Sequence, residues 1–292
     1  MAAQRSIDHR TFAKYKALVF DCYGTLIDWE TGIYDSLRPL FQKSGQPADR
    51  QAVIVAFSSV ERDLQAQYPL MLYSDLLAKV YTTLEARLQN EEPPPDALRD
   101  DLSSETTVVS SAHDGKGTIP VGAGPVGMSA AAQEEGTSAA EAFAGSVERW
   151  PPFSDTIGAL TALSKRFKLV ILSNIDRATI AKTRKLMEGP GGFEFDAVYT
   201  AEEVGAYKPA PEMLGYALAR LKEKFGIEQE EVLMTAQSVF HDIVPAKRRG
   251  IATAWINREG GITGLDGAQG DEAMFVFPTL GAMAEAVEQS SG

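Results

Sequence analysis

Short apolar runs alternating with helical patterns predict an α/β protein: a Rossmann-like parallel sheet core flanked by helices, with a small helical unit inserted after the first strand. Two observations carry the core. Ala17-Leu18-Val19-Phe20 and Leu169-Val170-Ile171-Leu172 are continuous apolar runs of the kind that strands buried on both faces require. The inserted unit rests on a third: Val53, Phe57, Val60 and Leu64 recur at helical spacing, as do Leu77, Tyr81, Leu84 and Leu88, with Ile33, Leu37 and Leu40 before them.

In chain order, the strand over 17–20 leads into this helical unit at about 30–90. The next stretch changes character. No Phe, Tyr or Trp stands between Tyr81 and Phe143, and residues 101–140 hold six Gly, six Ser and seven Ala behind Pro93, Pro94 and Pro95. Such a segment has little apolar surface to offset the entropy of ordering it, so about 91–140 is expected to be a flexible, low-complexity insertion. Helices are then predicted at 155–165, 177–187, 211–224 and 243–249, with Asp155 and Pro211 as start signals. Between them, residues 197–199, 232–234 and 252–255 supply shorter strands, and 274–277 a late one before Pro278. Ligands in sheets of this type bind beyond the carboxyl ends of the strands.

Composition narrows the function. The 292 residues are 44% hydrophobic, ordinary for a globular chain that buries a sizeable core. Lys plus Arg is 28 and Asp plus Glu is 40, giving −12 and arguing against nucleic acid or an anionic membrane surface as partner. One cysteine, Cys22, excludes an intrachain disulfide and a Cys-based zinc site, and three histidines make a His-rich metal cluster improbable. No apolar run approaches the roughly 18 residues of a membrane span, and residues 1–16 lack the apolar stretch of a secretory signal. A cytoplasmic protein is expected.

The chemistry gathers where strands end. The first strand runs into Asp21-Cys22-Tyr23-Gly24-Thr25-Leu26, a carboxylate followed by a tight glycine turn with backbone N–H groups beside it. That arrangement suits a nucleophilic carboxylate, and equally an Asp that caps the turn. The second strand ends in Ser173-Asn174, Tyr207-Lys208-Pro209 places a lysine before a helix, and the fourth strand is followed by Gln237-Ser238-Val239-Phe240-His241-Asp242. Four polar strand-end sites in this order are far more specific than any one. Cys22 reads as a small buried hydrophobe and His241 as a surface histidine.

These residues resemble the four motifs of the haloacid dehalogenase superfamily, at Asp21 to Leu26, Ser173-Asn174, Lys208 and Asp242. The wider stretches around Asp21 and Asn174, with Trp255-Ile256-Asn257-Arg258, are most similar to its type II, L-2-haloacid dehalogenase branch. The resemblance implies core segments at 1–28 and 152–292, with a helical cap at 29–151 that includes the insertion. It implies a hydrolase in which Asp21 attacks C2 of a small 2-haloacid and forms an ester, with Lys208 paired to Asp21. Asp242 would hold Lys208 or position water. Thr25, Ser173 and Asn174, with the N–H groups of Cys22 and Tyr23, would orient Asp21 or bind the substrate carboxylate. Arg62 is the nearest candidate for the cap arginine that receives halide.

Phosphatases of the superfamily carry a second Asp two residues after the nucleophile, where this chain has Tyr23. A halide leaving group needs no proton, so an acid there is dispensable. Gln237 and Ser238 stand where an extra metal-binding Asp would be expected, which favours chemistry without a cofactor. A Mg²⁺-dependent phosphohydrolase, a hydrolase of a non-halogenated metabolite and a catalytically silent binding protein are the alternatives. The expected partner is a small anionic substrate, and a homodimer is left open. Leu214, Gln237 and Val239 depart from the dehalogenase pattern, so the nucleophile machinery matches better than substrate recognition does.

Overall fold

Six parallel strands form one sheet in the order β3-β2-β1-β4-β5-β6. They are β1 (Ala17–Phe20), β2 (Lys168–Ser173), β3 (Ala197–Thr200), β4 (Val232–Ala236), β5 (Ala252–Ile256) and β6 (Phe275–Phe277), the runs expected from the sequence with ends moved by a residue or two. The computed structural model describes residues 12–68, 71–89, 138–189, 192–258 and 273–290. The segment expected to be an insertion lies outside these residues except for 138–140, which open a short helix rather than extending the linker. Its start is fixed by a capping box, in which the Ser138 hydroxyl accepts from the Glu141 N–H and the Glu141 carboxylate accepts from the Ser138 N–H.

Successive strand side chains point to opposite faces, which is why β1 must be apolar throughout. Leu18 and Phe20 face a core shared with α5 (Thr156–Leu163) and α10 (Leu280–Gln289), while Ala17 and Val19 face α8 (Pro211–Phe225) and α9 (Val244–Arg248). The α10 helix was not anticipated. Its signal was nonetheless present: Leu280, Met283, Ala284 and Val287 are buried at helical spacing behind the Thr279 N-cap. Before α9 the chain makes a π-helical turn, Val239–Ile243, so the helix begins four residues earlier than the expected 243.

The inserted unit consists of α1 (Trp29–Ser44), α2 (Arg50–Gln67), α3 (Tyr73–Gln89) and α4 (Ala139–Ala144). Asp28 and Asp49 cap the first two, accepting from the N–H groups of Thr31 and Ala52. The apolar stripes read from the sequence meet inside it, with Ile33, Leu37, Val53, Phe57, Val60, Leu77 and Leu84 all buried. The chain leaves and re-enters the core side by side. The Asp28 N–H donates to the Pro151 carbonyl at 2.8 Å, and the Phe153 N–H to the Leu26 carbonyl at 3.1 Å. Among the described residues no helix is long and apolar enough to cross a membrane.

Trp150 closes this junction. Its ring is buried, its indole N–H donates to Ser146 Oγ at 3.1 Å, and it meets Tyr23 edge-on at 5.8 Å between centroids. Gly32 on α1 makes room for it: a Cβ there would fall 2.2 Å from Trp150 Cδ1 and 2.3 Å from Cγ, atoms that cannot swing aside. Gly32→Ala gains about 1 kcal/mol of helix propensity, yet overpacking costs of about 1–3 kcal/mol should outweigh it. Urea unfolding is expected to show a lowered midpoint at unchanged slope. A raised midpoint would mean the junction is not packed as described.

Candidate active site

The order of strands reverses across β1, which lies between β2 and β4, and this opens a crevice at their carboxyl ends. Register aligns those ends, because Phe20 pairs with Ile171 on one side and Thr235 on the other. The next residue, Asp21, therefore emerges at the mouth. Gly24 then turns the chain with φ +93°, a conformation that an L side chain resists, and a Cβ there would also approach Trp29 Nε1 to 3.0 Å. The turn closes through N–H donation from Leu26 to the Cys22 carbonyl at 2.7 Å and from Gly24 to the Ile27 carbonyl at 2.8 Å.

Lys208 reaches into this crevice from the loop before α8. Its ammonium donates to Asp21 Oδ1 at 2.7 Å, Asp242 Oδ1 at 2.9 Å and the Leu172 carbonyl at 3.0 Å, which uses all three donors. The three charged residues are 8%, 6% and 3% exposed for Asp21, Lys208 and Asp242. Burial works to strip the ammonium of its proton, but the two carboxylates outweigh it and raise the Lys208 pKa. Burial also pushes the Asp242 carboxyl up to about 7, with the charge of Asp21 adding to the rise and Lys208 opposing it. One cation between two carboxylates leaves a net negative charge in the interior, and a proton on Asp242 relieves it. Asp242 Oδ2 is buried and has no partner among the described residues.

Thr25 ties two loops to the same carboxylate. Its hydroxyl donates to Asp21 Oδ2 at 2.8 Å and accepts from the Gln237 N–H at 2.9 Å. Behind it stands Arg258, whose role no local pattern signals. Its Nε and Nη2 donate to the Thr25 carbonyl at 3.0 and 2.8 Å, Nη1 donates to Asp155 Oδ1 at 2.9 Å, and the guanidinium lies 3.7 Å over the Phe153 ring. Burial lowers the Arg258 pKa while Asp155 opposes that shift. Arg258 thus braces the turn that carries Asp21.

The remaining sequence candidates fall in different places. Asn174 clamps the backbone of Lys208, accepting its N–H at 2.6 Å and donating to its carbonyl at 3.1 Å. Ser173 is buried at the end of β2. The Cys22 side chain lies in the apolar core, where burial and the charge of Asp21 push its thiol well up, so it stays protonated. Tyr23 shares a hydrogen bond with Thr183 Oγ1 at 2.7 Å on α6 (Arg177–Arg184), and burial raises its pKa well above the ordinary phenol. Ser238 caps the π-helical turn, its hydroxyl accepting from the His241 N–H, and Asp242 lies within that turn facing Lys208. Arg62 is exposed on α2, whereas its neighbour Glu61 accepts from the Tyr73 hydroxyl at 2.6 Å. Sequence periodicity had no means to rank Glu61 above Arg62.

A Mg²⁺ ion asks for one or two uncommitted carboxylates plus further oxygen ligands. Here Lys208 holds one oxygen of each carboxylate and Thr25 holds the other oxygen of Asp21. Among the described residues no group of three or more His, Cys, Asp or Glu side chains is placed to hold a metal. The donor set fits Mg²⁺ poorly. It can instead present a carboxylate oriented from two sides to an electrophile.

A family model described as haloacid dehalogenase-like hydrolase matches residues 15–248. No protein of the curated set matches the sequence. Among solved structures, the L-2-haloacid dehalogenase from Xanthobacter autotrophicus superposes with TM-score 0.61 at 20% identity, covering 94% of this chain and 98% of its own. The L-2-haloacid dehalogenase PA0810 gives 0.62 at 18% identity, covering 93% and 98%. The HAD-hydrolase YfnB from Bacillus subtilis, bound to magnesium, gives 0.59 at 16% identity, covering 94% and 99%. At these identities the structures speak for the fold.

The Asp242 carboxyl would titrate at about 4 in an unfolded chain, and in the fold it is pushed to about 7. The folded state therefore binds the extra proton between those values. Its stabilising contribution is full below about pH 4 and is lost as pH rises through about 7. Urea unfolding followed from about pH 5 to about pH 8 should weaken more steeply for wild type than for Asp242→Asn. Identical pH slopes would contradict a proton held at Asp242.

Proposed function

The chain belongs to the haloacid dehalogenase-like hydrolases, and from that premise we propose that it hydrolyses its substrate through an ester on Asp21, displacing halide from a small 2-haloacid. The single observation behind this reading is the 2.7 Å contact of the buried Lys208 ammonium with Asp21, with Thr25 on the second oxygen. Two fixed hydrogen bonds aim the lone pairs of that carboxylate.

In the first step an Asp21 oxygen bonds to C2 of the substrate as the carbon–halogen bond breaks, its electron pair leaving with the halide. No proton moves, because a hydrogen halide is a strong acid. The N–H groups of Cys22 and Tyr23, with Ser173, would receive the substrate carboxylate. In the second step water attacks the carbonyl carbon of the Asp21 ester. The bond from that carbon to the substrate oxygen breaks, releasing the 2-hydroxyacid and restoring the carboxylate. Asp242, once ionised, takes one proton of the attacking water and passes it to the departing substrate oxygen, and the second proton is released to solvent as the Asp21 carboxylate re-forms. Lys208 then stabilises negative charge on the ester oxygen. Asn174 serves as a positioning residue, since both of its polar atoms hold the Lys208 backbone.

Support for halide over phosphate comes from two sides. Tyr23 stands where a phosphatase places its proton-donating Asp, and its hydroxyl is engaged by Thr183. The carboxylates that would bind Mg²⁺ are engaged by Lys208. The Xanthobacter relative is also known in a form with chloropropionic acid covalently bound.

Incubation with L-2-chloropropionate in the presence of EDTA should release free halide, and Asp21→Asn should lose at least about a thousandfold in rate while keeping its unfolding midpoint. No halide, together with phosphate release from a model ester on adding Mg²⁺, would move the protein to the phosphohydrolases. Wild-type rates in Asp21→Asn would dispose of the ester.

A further inference from the structure

The aim of Asp21 depends on where Thr25 stands, and Thr25 is held from outside its own turn. Its hydroxyl donates to Asp21 Oδ2 at 2.8 Å and accepts from the Gln237 N–H at 2.9 Å, so both bonds depend on its placement. The backbone of the turn leaves the Thr25 carbonyl to others. Leu26 and Ile27 both donate to the Cys22 carbonyl, at 2.7 and 3.0 Å, and Gly24 donates to the Ile27 carbonyl. The Thr25 carbonyl is taken by Arg258, two residues beyond β5, through Nε at 3.0 Å and Nη2 at 2.8 Å. A second distant segment holds the adjacent Leu26 carbonyl, through the Phe153 N–H at 3.1 Å and the Thr156 hydroxyl at 2.8 Å.

Arg258 is itself fixed. Nη1 donates to Asp155 Oδ1 at 2.9 Å, the guanidinium lies 3.7 Å over the Phe153 ring, and the side chain is 9% exposed. Asp155 places its other oxygen on the Gly281 N–H at 2.9 Å, in the first turn of α10. Burial acts to raise the Asp155 carboxyl, yet the Gly281 N–H and Arg258 together hold it below the usual carboxylate range. The planar fork thus serves two acceptors at once, which a flexible ammonium does not reproduce.

A buried ion pair fills space no better than apolar side chains of similar volume, which often stabilise as well or better. What this pair supplies is direction. It fixes the backbone of the residue whose hydroxyl meets the Asp21 carboxylate, and a misplacement of about 1 Å near the reacting atoms can cost about a hundredfold in rate.

We propose that Arg258 and Asp155 are positioning residues for the Asp21 nucleophile, acting through Thr25 and not on the substrate. The effect on rate rests on the reading of Asp21 as the nucleophile, whereas the effect on Thr25 does not. With the pair in place, the Thr25 hydroxyl is directed at Oδ2 before substrate arrives. Without it, Thr25 loses both charged donors on its carbonyl, and its bonds to Asp21 and Gln237 loosen together.

Two readouts test this. Amide hydrogen exchange followed by NMR reports on the Gln237 N–H, whose acceptor is the Thr25 hydroxyl. Halide release from L-2-chloropropionate reports on the reaction. In Arg258→Met, exchange at Gln237 should accelerate at least about tenfold more than at Val19 in β1. The same variant should lose about tenfold to a hundredfold in kcat/KM. Arg258→Lys, which reaches one acceptor at a time, should recover part of both losses. Asp155→Asn should show both effects in smaller measure, because Arg258 keeps its hold on Thr25. A purely structural role would accelerate Gln237 and Val19 by the same factor as the unfolding midpoint falls, and that result overturns the proposal. So does wild-type exchange at Gln237 in Arg258→Met, or faster exchange there with undiminished kcat/KM. Should Arg258→Met fail to fold, Asp155→Asn decides on the same two readouts. If the wild type releases no halide, the dehalogenation reading fails, and exchange at Gln237 still decides whether Arg258 holds Thr25.

Discussion

A single buried ammonium organises this protein. Lys208 holds Asp21, Asp242 and the Leu172 carbonyl at once, so the ends of β1 and β2 and the π-helical turn after β4 converge on one atom. Such a cluster is a poor source of stability, because desolvating three charges costs about as much as their attraction returns. Removing the lysine alone would be worse, since two carboxylates would face each other uncompensated, at a cost of about 3–5 kcal/mol. The arrangement is better understood as a positioning device. It holds one carboxylate in place from two sides, and leaves the other near its titration point. Thr25, Gln237 and Arg258 extend the same constraint outward, so that movement of the loop after β4 is felt at Asp21.

Two contacts tie the cap to residues near this centre. Trp150 meets Tyr23 two residues from Asp21, and the Tyr207 hydroxyl, one residue before Lys208, donates to the Met71 carbonyl at 2.6 Å. The cap therefore contributes to the walls of the crevice as well as covering it.

Most of the fold was legible because its signals are local. A strand buried on both faces has to be apolar throughout, so β1 and β2 announce themselves, and the cap helices show their apolar stripes at three- and four-residue spacing. The chemistry-bearing residues were legible for a related reason: Asp21, Asn174 and Asp242 follow apolar strands closely, and Lys208 precedes a helix that Pro211 starts. What escaped depends on partners far away in sequence. Arg258 acts on the Thr25 carbonyl 233 residues earlier, and no local pattern encodes that pairing. Asp242 is aimed by a π-helical turn that starts at Val239 under the Ser238 cap, and no local pattern marks such a turn. Glu61 and Arg62 are adjacent, and only the packing of α2 against α3 decides which of them Tyr73 can reach. The α10 helix is a different case, since its spacing was readable and simply not used.

The central claim is that Asp21 itself forms the bond to the substrate, and one labelling experiment addresses it directly. With enzyme in excess over L-2-chloropropionate in H₂¹⁸O, a single turnover through an ester transfers an unlabelled oxygen from Asp21 to the product, and water refills the carboxylate. Mass spectrometry should find the product free of label and the Asp21-containing peptide heavier by one ¹⁸O. Labelled product beside an unchanged Asp21 peptide would mean that water attacks the substrate directly, and that the Lys208-held carboxylate is no nucleophile.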